Sequence, residues 1–172
     1  MLGIKHLLGG FDYVLFIVAM ALGATNLRSL LGIVSAYTAA HSVTLLAALV
    51  GGLTVPSHLV EPLIALSIAF VALDGLLGET RRRIPAVSVF GHVHGLGFAG
   101  SLHITEGFSW DLVASALSFN VGIEIAQAAL LLAVFPLFLL FRRRRHSVPI
   151  LRAATVAVAA FGLYWFVERF LA

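Results

Sequence analysis

Long apolar runs alternate with short polar breaks along the whole chain of 172 residues. The runs fall at about 4–22, 30–50, 58–77, 84–102, 111–141 and 149–171. Each is near or above the roughly 20 residues a helix needs to cross a bilayer. The pattern predicts an all-α, polytopic membrane bundle of about six transmembrane helices, folded as a single domain over 1–172. The fifth run is long and contains Pro136, so it is expected to tilt, kink or extend past the bilayer. The run after Lys5, with Ala19-Met20-Ala21 near its end, faintly resembles a cleaved signal peptide. Asp12 inside that run argues for a retained first helix.

Charge sharpens this picture. Only 11% of the residues are charged, against about 25% in a soluble domain. The arginines are clustered: Arg28, then Arg81 to Arg83, then Arg142 to Arg145 with Arg152. Those loops share one face if six helices alternate. The opposite loops, 51–57 and 104–110, hold no Lys or Arg and carry Glu106. The positive-inside rule then places both termini outside a multi-pass protein of the inner (plasma) membrane. The same clusters explain the basic balance without a nucleic-acid surface. Cysteine is absent, which excludes disulfides and thiolate metal sites.

Against this background the polar residues inside the runs stand out, because ionisable groups at membrane depth generally serve a site or a pathway. Phe90-Gly91-His92-Val93-His94-Gly95-Leu96-Gly97-Phe98-Ala99-Gly100 sets two histidines among four glycines. Positions two apart point about 200° from each other on a regular helix. Either one histidine faces a site, with His94 favoured, or a broken turn lets both do so. Gly91 and Gly95 form a small-xxx-small pair suited to close helix contact. Asp12 lies more than two turns inside the first run. His6 lies about 120° from it in azimuth. His41 is deep in the second run with Ser42 and Thr44 nearby, and the latter two suit helix–helix hydrogen bonds.

Glu61 opens the third run, either as an entrance carboxylate or as a first-turn acid. Asp74 near the arginine side suits a pair with Arg81 to Arg83. Asn120, Glu124 and Gln127 share a stripe at spacings of four and three. Such a stripe should face the bundle or water rather than lipid. In the last run, Tyr164, Trp165, Glu168 and Arg169 read as an interfacial belt with a surface ion pair. Asp12, His41, His94, Asn120 and Glu124 fall at similar depth. Imidazoles with carboxylates suit nickel, cobalt, zinc or copper. The scarcity of Met and absence of Cys speak against a copper(I) path.

Five strings in this order are similar to the HupE/UreJ family of small membrane proteins: His6-x5-Asp12, Ala40-His41-Ser42-Val43-Thr44-Leu45, Val60-Glu61 with Ile64-Ala65-Leu66-Ser67-Ile68, Phe90 to Ala99, and Phe119-Asn120-Val121-Gly122-Ile123-Glu124. The first family motif resembles His-x5-Asp-His, and here Tyr13 stands where its second histidine would be. The resemblance implies a nickel or cobalt permease whose cargo meets His6, Asp12, His41, His94 and Glu124. His92, Asn120, Gln127 and Glu61 would be in support. It leaves as partners the bilayer, the divalent metal ion, and either another copy of the chain or a metalloenzyme maturation protein.

The same residues fit a second class of activity. Histidines and an aspartate can hold zinc with an open position for an activated water, giving an intramembrane hydrolase of a lipid or membrane-embedded peptide. Glu124 or Ser42 would then serve as proton acceptor or hydrogen-bond partner. Haem between His41 and His94 is the third reading; it needs neither Asp12 nor Glu124.

Overall fold

The computed structural model describes residues 10–24, 26–53, 55–77, 80–101, 109–142, 144 and 147–172. Six helices are described: α1 (Phe11–Gly23), α2 (Leu27–Gly51), α3 (Ser57–Leu77), α4 (Thr80–Ser101), α5 (Trp110–Arg142) and α6 (Ser147–Leu171). No strand occurs among the described residues. The chain is an all-helical membrane protein. By length and composition α2, α3, α5 and α6 are each able to cross a bilayer, and α1 is a shorter apolar helix. α4 has the length, but its arginines, glycines and histidines make it less apolar.

Local signals set several boundaries. The Asn26 side chain accepts from the Ser29 N–H at 2.8 Å, satisfying a free donor at the start of α2. Gly52 closes α2 in the left-handed region at φ +63°, the usual place for glycine at a helix end. α5 runs 33 residues through Pro136. At about 1.5 Å per residue it is about 50 Å long, more than the roughly 30 Å of a hydrocarbon core, and tilt, a kink or extension past the bilayer would each accommodate it.

The helices alternate in direction. The end of α5 therefore meets the end of α1, and the end of α6 meets its start. α1 is the middle of the core, where Phe16, Ile17 and Met20 pack with Leu30, Ile33 and Val71. α3 lies against α1, α4 and α6, while α2 packs on α4. Small residues make these contacts close. A methyl on Gly95 would sit 2.6 Å from the His41 carbonyl oxygen, and one on Gly162 would sit 2.7 Å from the Ala69 nitrogen. In a bilayer, where apolar surface is no better off between helices than in lipid, such backbone approach is the main source of helix association.

At the arginine-rich end the terminal carbonyls of α1 are capped by side chains. Arg142 donates to the Leu22 and Ala24 oxygens, each at 2.6 Å. Arg83 donates to the Gly23 oxygen and pairs with Asp74 at 2.8 Å. Four helices are thereby tied at one point, and the cationic groups sit where the α1 dipole is negative. The expected pairing of Asp74 with the 81–83 cluster falls specifically on Arg83.

Candidate functional site

The contact of α2 with α4 builds the centre of the molecule. Gly91 and Gly95 expose bare backbone on one face of α4, and Tyr37, Ala40, His41 and Thr44 of α2 close against it. That approach carries His94, which is fully buried, into the space between α1, α2 and α3. The regular helix turns His92 the other way. It is exposed, and its Nδ1 lies 2.7 Å from the Ser88 carbonyl oxygen.

Hydroxyl groups occupy both ring nitrogens of His94. Ser67 Oγ lies 3.0 Å from Nε2, and the Tyr37 hydroxyl lies 2.8 Å from Nδ1. The Ser67 proton is already directed to the Ile64 carbonyl oxygen at 2.6 Å. The Ser67 oxygen therefore accepts from Nε2–H, and Nδ1 carries the lone pair that receives the Tyr37 proton. One tautomer satisfies the whole chain of bonds. Rings hold the imidazole on its remaining sides: Phe16 at 4.9 Å, Tyr37 at 5.4 Å and Tyr13 edge-on at 5.6 Å.

One turn along α2 from Tyr37, His41 stacks on that tyrosine at 5.9 Å. Tyr13, Tyr37, Thr38, His41, Asn120 and Gln127 are among the residues around a cavity of about 10 Å³, room for about one water. Tyr37 thus belongs to both the cavity and the His94 bond chain. α5 reaches the cavity through Asn120, whose Nδ2 donates to Ser42 Oγ. Ser42 in turn donates to the Thr38 carbonyl oxygen at 2.7 Å, the helix–helix link its position suggested. Asn120 Oδ1 and Gln127 Nε2 are buried with no hydrogen-bond partner among the described residues. Each such group is destabilising by about 1–3 kcal/mol, and both belong to residues around the cavity.

The other expected site residues lie apart from this centre. Asp12 pairs with Arg169 of α6 at 3.1 Å. Arg169 also lies 5.6 Å over the Trp165 ring and reaches the Glu61 carbonyl oxygen at 3.4 Å. It therefore bridges to α1 and α3, where a surface pair with Glu168 was expected. The Glu61 side chain is exposed.

Glu124 is exposed as well. The seam α5 buries runs through Ala116, Asn120, Ile123, Gln127, Leu131 and Phe135. At the depth of Glu124 the buried residues Ile123, Ala126 and Gln127 lie to one side of Asn120, and Glu124 stands about 40° to its other side on an ideal helix. The three-residue stripe read from spacing is therefore split. His6 lies outside the described residues, as do Glu106 and His103. Among the described residues no group of three or more His, Cys, Asp or Glu is placed to hold a metal ion. His41 and His94 share one cluster, and Asp12 and Glu124 are not part of it.

Sequence reasoning gave no role to Tyr37, Ser67 or Phe16. Tyr37 carried a usable signal, four residues from His41 and so on the same helix face. A family model described as HupE / UreJ protein matches residues 1–169. No curated protein and no solved structure matches the chain.

Proposed function

The chain belongs to the HupE/UreJ family, which is associated with nickel and cobalt transport, and from that premise we propose that it is a membrane permease for nickel or cobalt. The observation that carries the reading is the cavity at the centre of the bundle. Its wall includes His41 and Asn120, and Asn120 Oδ1, an oxygen able to face a cation, is buried with no hydrogen-bond partner among the described residues. A permeation site must hold its ion weakly enough to release it. Neutral imidazole and amide donors meet that demand better than a closed shell of carboxylates.

His94 supplies the second imidazole. Its Nε2–H is held by Ser67, the arrangement in which the other ring nitrogen of a ligating histidine is oriented by its neighbour. The Nδ1 lone pair is covered by the Tyr37 hydroxyl. Rotation of Tyr37 would uncover it toward the cavity. Asp12, next in sequence to the cavity residue Tyr13, is held by Arg169, a protein cation where a metal cation would first be attracted. Exchange of Arg169 for the arriving ion would load the mouth of the path. Protonation of a histidine would favour release.

Flux into liposomes tests this. The unmodified protein should carry nickel or cobalt inward. Asp12→Asn and His94→Ala should each lower the rate more than tenfold, with a folded, monodisperse protein. Flux that survives both substitutions contradicts the proposal. A tightly held zinc ion with no flux would favour the metal-dependent hydrolase instead.

A further inference from the structure

A second, larger space lies at the arginine-rich end, remote from the histidines. α5 and α6 scarcely touch each other, and between them and the lower half of α1 runs a groove of about 860 Å³. Leu22, Phe138, Phe141, Leu151 and Val158 are among its walls, and Arg144 is the charged residue among the described ones there. The volume is within the roughly 300–1,000 Å³ of small-molecule sites.

Two features identify the occupant. The groove opens from helices whose outer faces are apolar and exposed, so the medium beside it is acyl chain. An unfilled groove would also forfeit the dispersion contacts of its walls. The second feature is charge. Arg144 is exposed, and its guanidinium makes no hydrogen bond or ion pair with a described residue. Arg142 is committed to the α1 carbonyls, and Asp74, the carboxylate described at this end, is committed to Arg83. Among the described residues Arg144 is left without a counter-charge at the rim of an apolar slot, and basic pockets between membrane helices bind anionic headgroups.

We propose that this groove is a binding site for an anionic phospholipid of the bilayer. One acyl chain lies along Phe138, Leu151 and Val158, and the phosphate is held by Arg144. The bound lipid fills the gap between α5 and α6 and joins α5, otherwise loosely attached, to the core.

The test uses the full chain purified in detergent and offered equal amounts of phosphatidylglycerol and phosphatidylcholine with identical acyl chains. Native mass spectrometry reads what is retained. The unmodified protein should keep phosphatidylglycerol in preference. Arg144→Gln should reduce that preference about fivefold, as expected for one basic side chain at an anionic surface. Ala154→Phe, which fills the groove from α6, should reduce retention of both lipids. Circular dichroism should show unchanged helix content in each variant, and Arg144→Gln, at an exposed site, keeps the test decisive if Ala154→Phe misfolds. Equal retention of the two lipids by the unmodified protein would overturn the proposal. So would an Arg144→Gln variant with intact preference, or a folded Ala154→Phe variant that loses dimer mass and keeps its lipid, since the groove would then seat a second copy.

Discussion

The arginine-rich end and the middle of the bundle both bury polar groups, but they treat them differently. At the end, Arg83 and Arg142 are matched to Asp74 and to the Leu22, Gly23 and Ala24 carbonyls. These partners are supplied by the fold and hold α1 in place, and one further Arg83 nitrogen, Nη2, is buried with no hydrogen-bond partner among the described residues. In the middle, His94 is matched to two hydroxyls, while Asn120 Oδ1 and Gln127 Nε2, on residues around a small cavity, have no partner among the described residues. Polar groups that complete one another are structural. Polar groups left incomplete at membrane depth, where each is costly, are the ones a passing ligand can complete. On the proposed function, the end serves mainly the fold and the middle serves the ion.

The largest effect on stability should come from the arginine-rich end. Arg83→Met leaves the Asp74 carboxylate and the Gly23 carbonyl without their donor. Removing one partner of a buried pair destabilises by about 3–5 kcal/mol. Unfolding in graded denaturing detergent should show that loss, and Asp74→Leu added to it should recover a large part. A small loss would mean that the cap on α1 is ornamental and would erase the contrast.

Gly95→Ala comes next. Its methyl would meet the His41 carbonyl oxygen at 2.6 Å, and overpacking of this kind destabilises by about 1–3 kcal/mol. Because the same contact sets His94, flux should fall more than stability does. Tyr37→Phe should be milder, at about 1 kcal/mol for one lost hydrogen bond. It also uncovers Nδ1 of His94, so nickel binding measured by calorimetry should become tighter. Weaker binding would show that the hydroxyl takes part in holding the ion.

The smallest effect is expected for Glu124→Gln. Its side chain is exposed and outside the cavity, so stability should change by no more than about 0.5 kcal/mol and flux should be nearly unchanged. A large loss of flux would require a state in which α5 rotates Glu124 inward.

Depth was legible in the sequence, and azimuth was not. Apolar runs put His41, His94 and Asn120 at similar depth, and the structure brings the three into one neighbourhood; the 91/95 glycine pair located a close helix contact. Which way a residue points depends on how wide a strip each helix buries, and a period alone cannot give that width. Glu124 was lost for this reason: it shares a stripe with Asn120 and Gln127, yet at its depth the buried residues of α5 lie to the other side of Asn120. Asp12 was drawn to the centre because Arg169, 157 residues away in sequence, could not be assigned to it from spacing. Tyr13 replaces an expected histidine but keeps a place in the cluster, packing edge-on against His94.

Gln127→Leu puts the central claim to the most direct test. The substitution removes a buried amide whose Nε2 has no partner and replaces it with an apolar side chain of similar size. If Gln127 serves the cavity and not the fold, the variant should unfold at the same or higher denaturant, while nickel or cobalt flux into liposomes falls more than tenfold. Unchanged flux, or a loss of stability as large as that of Arg83→Met, would contradict the division between a structural end and a functional centre.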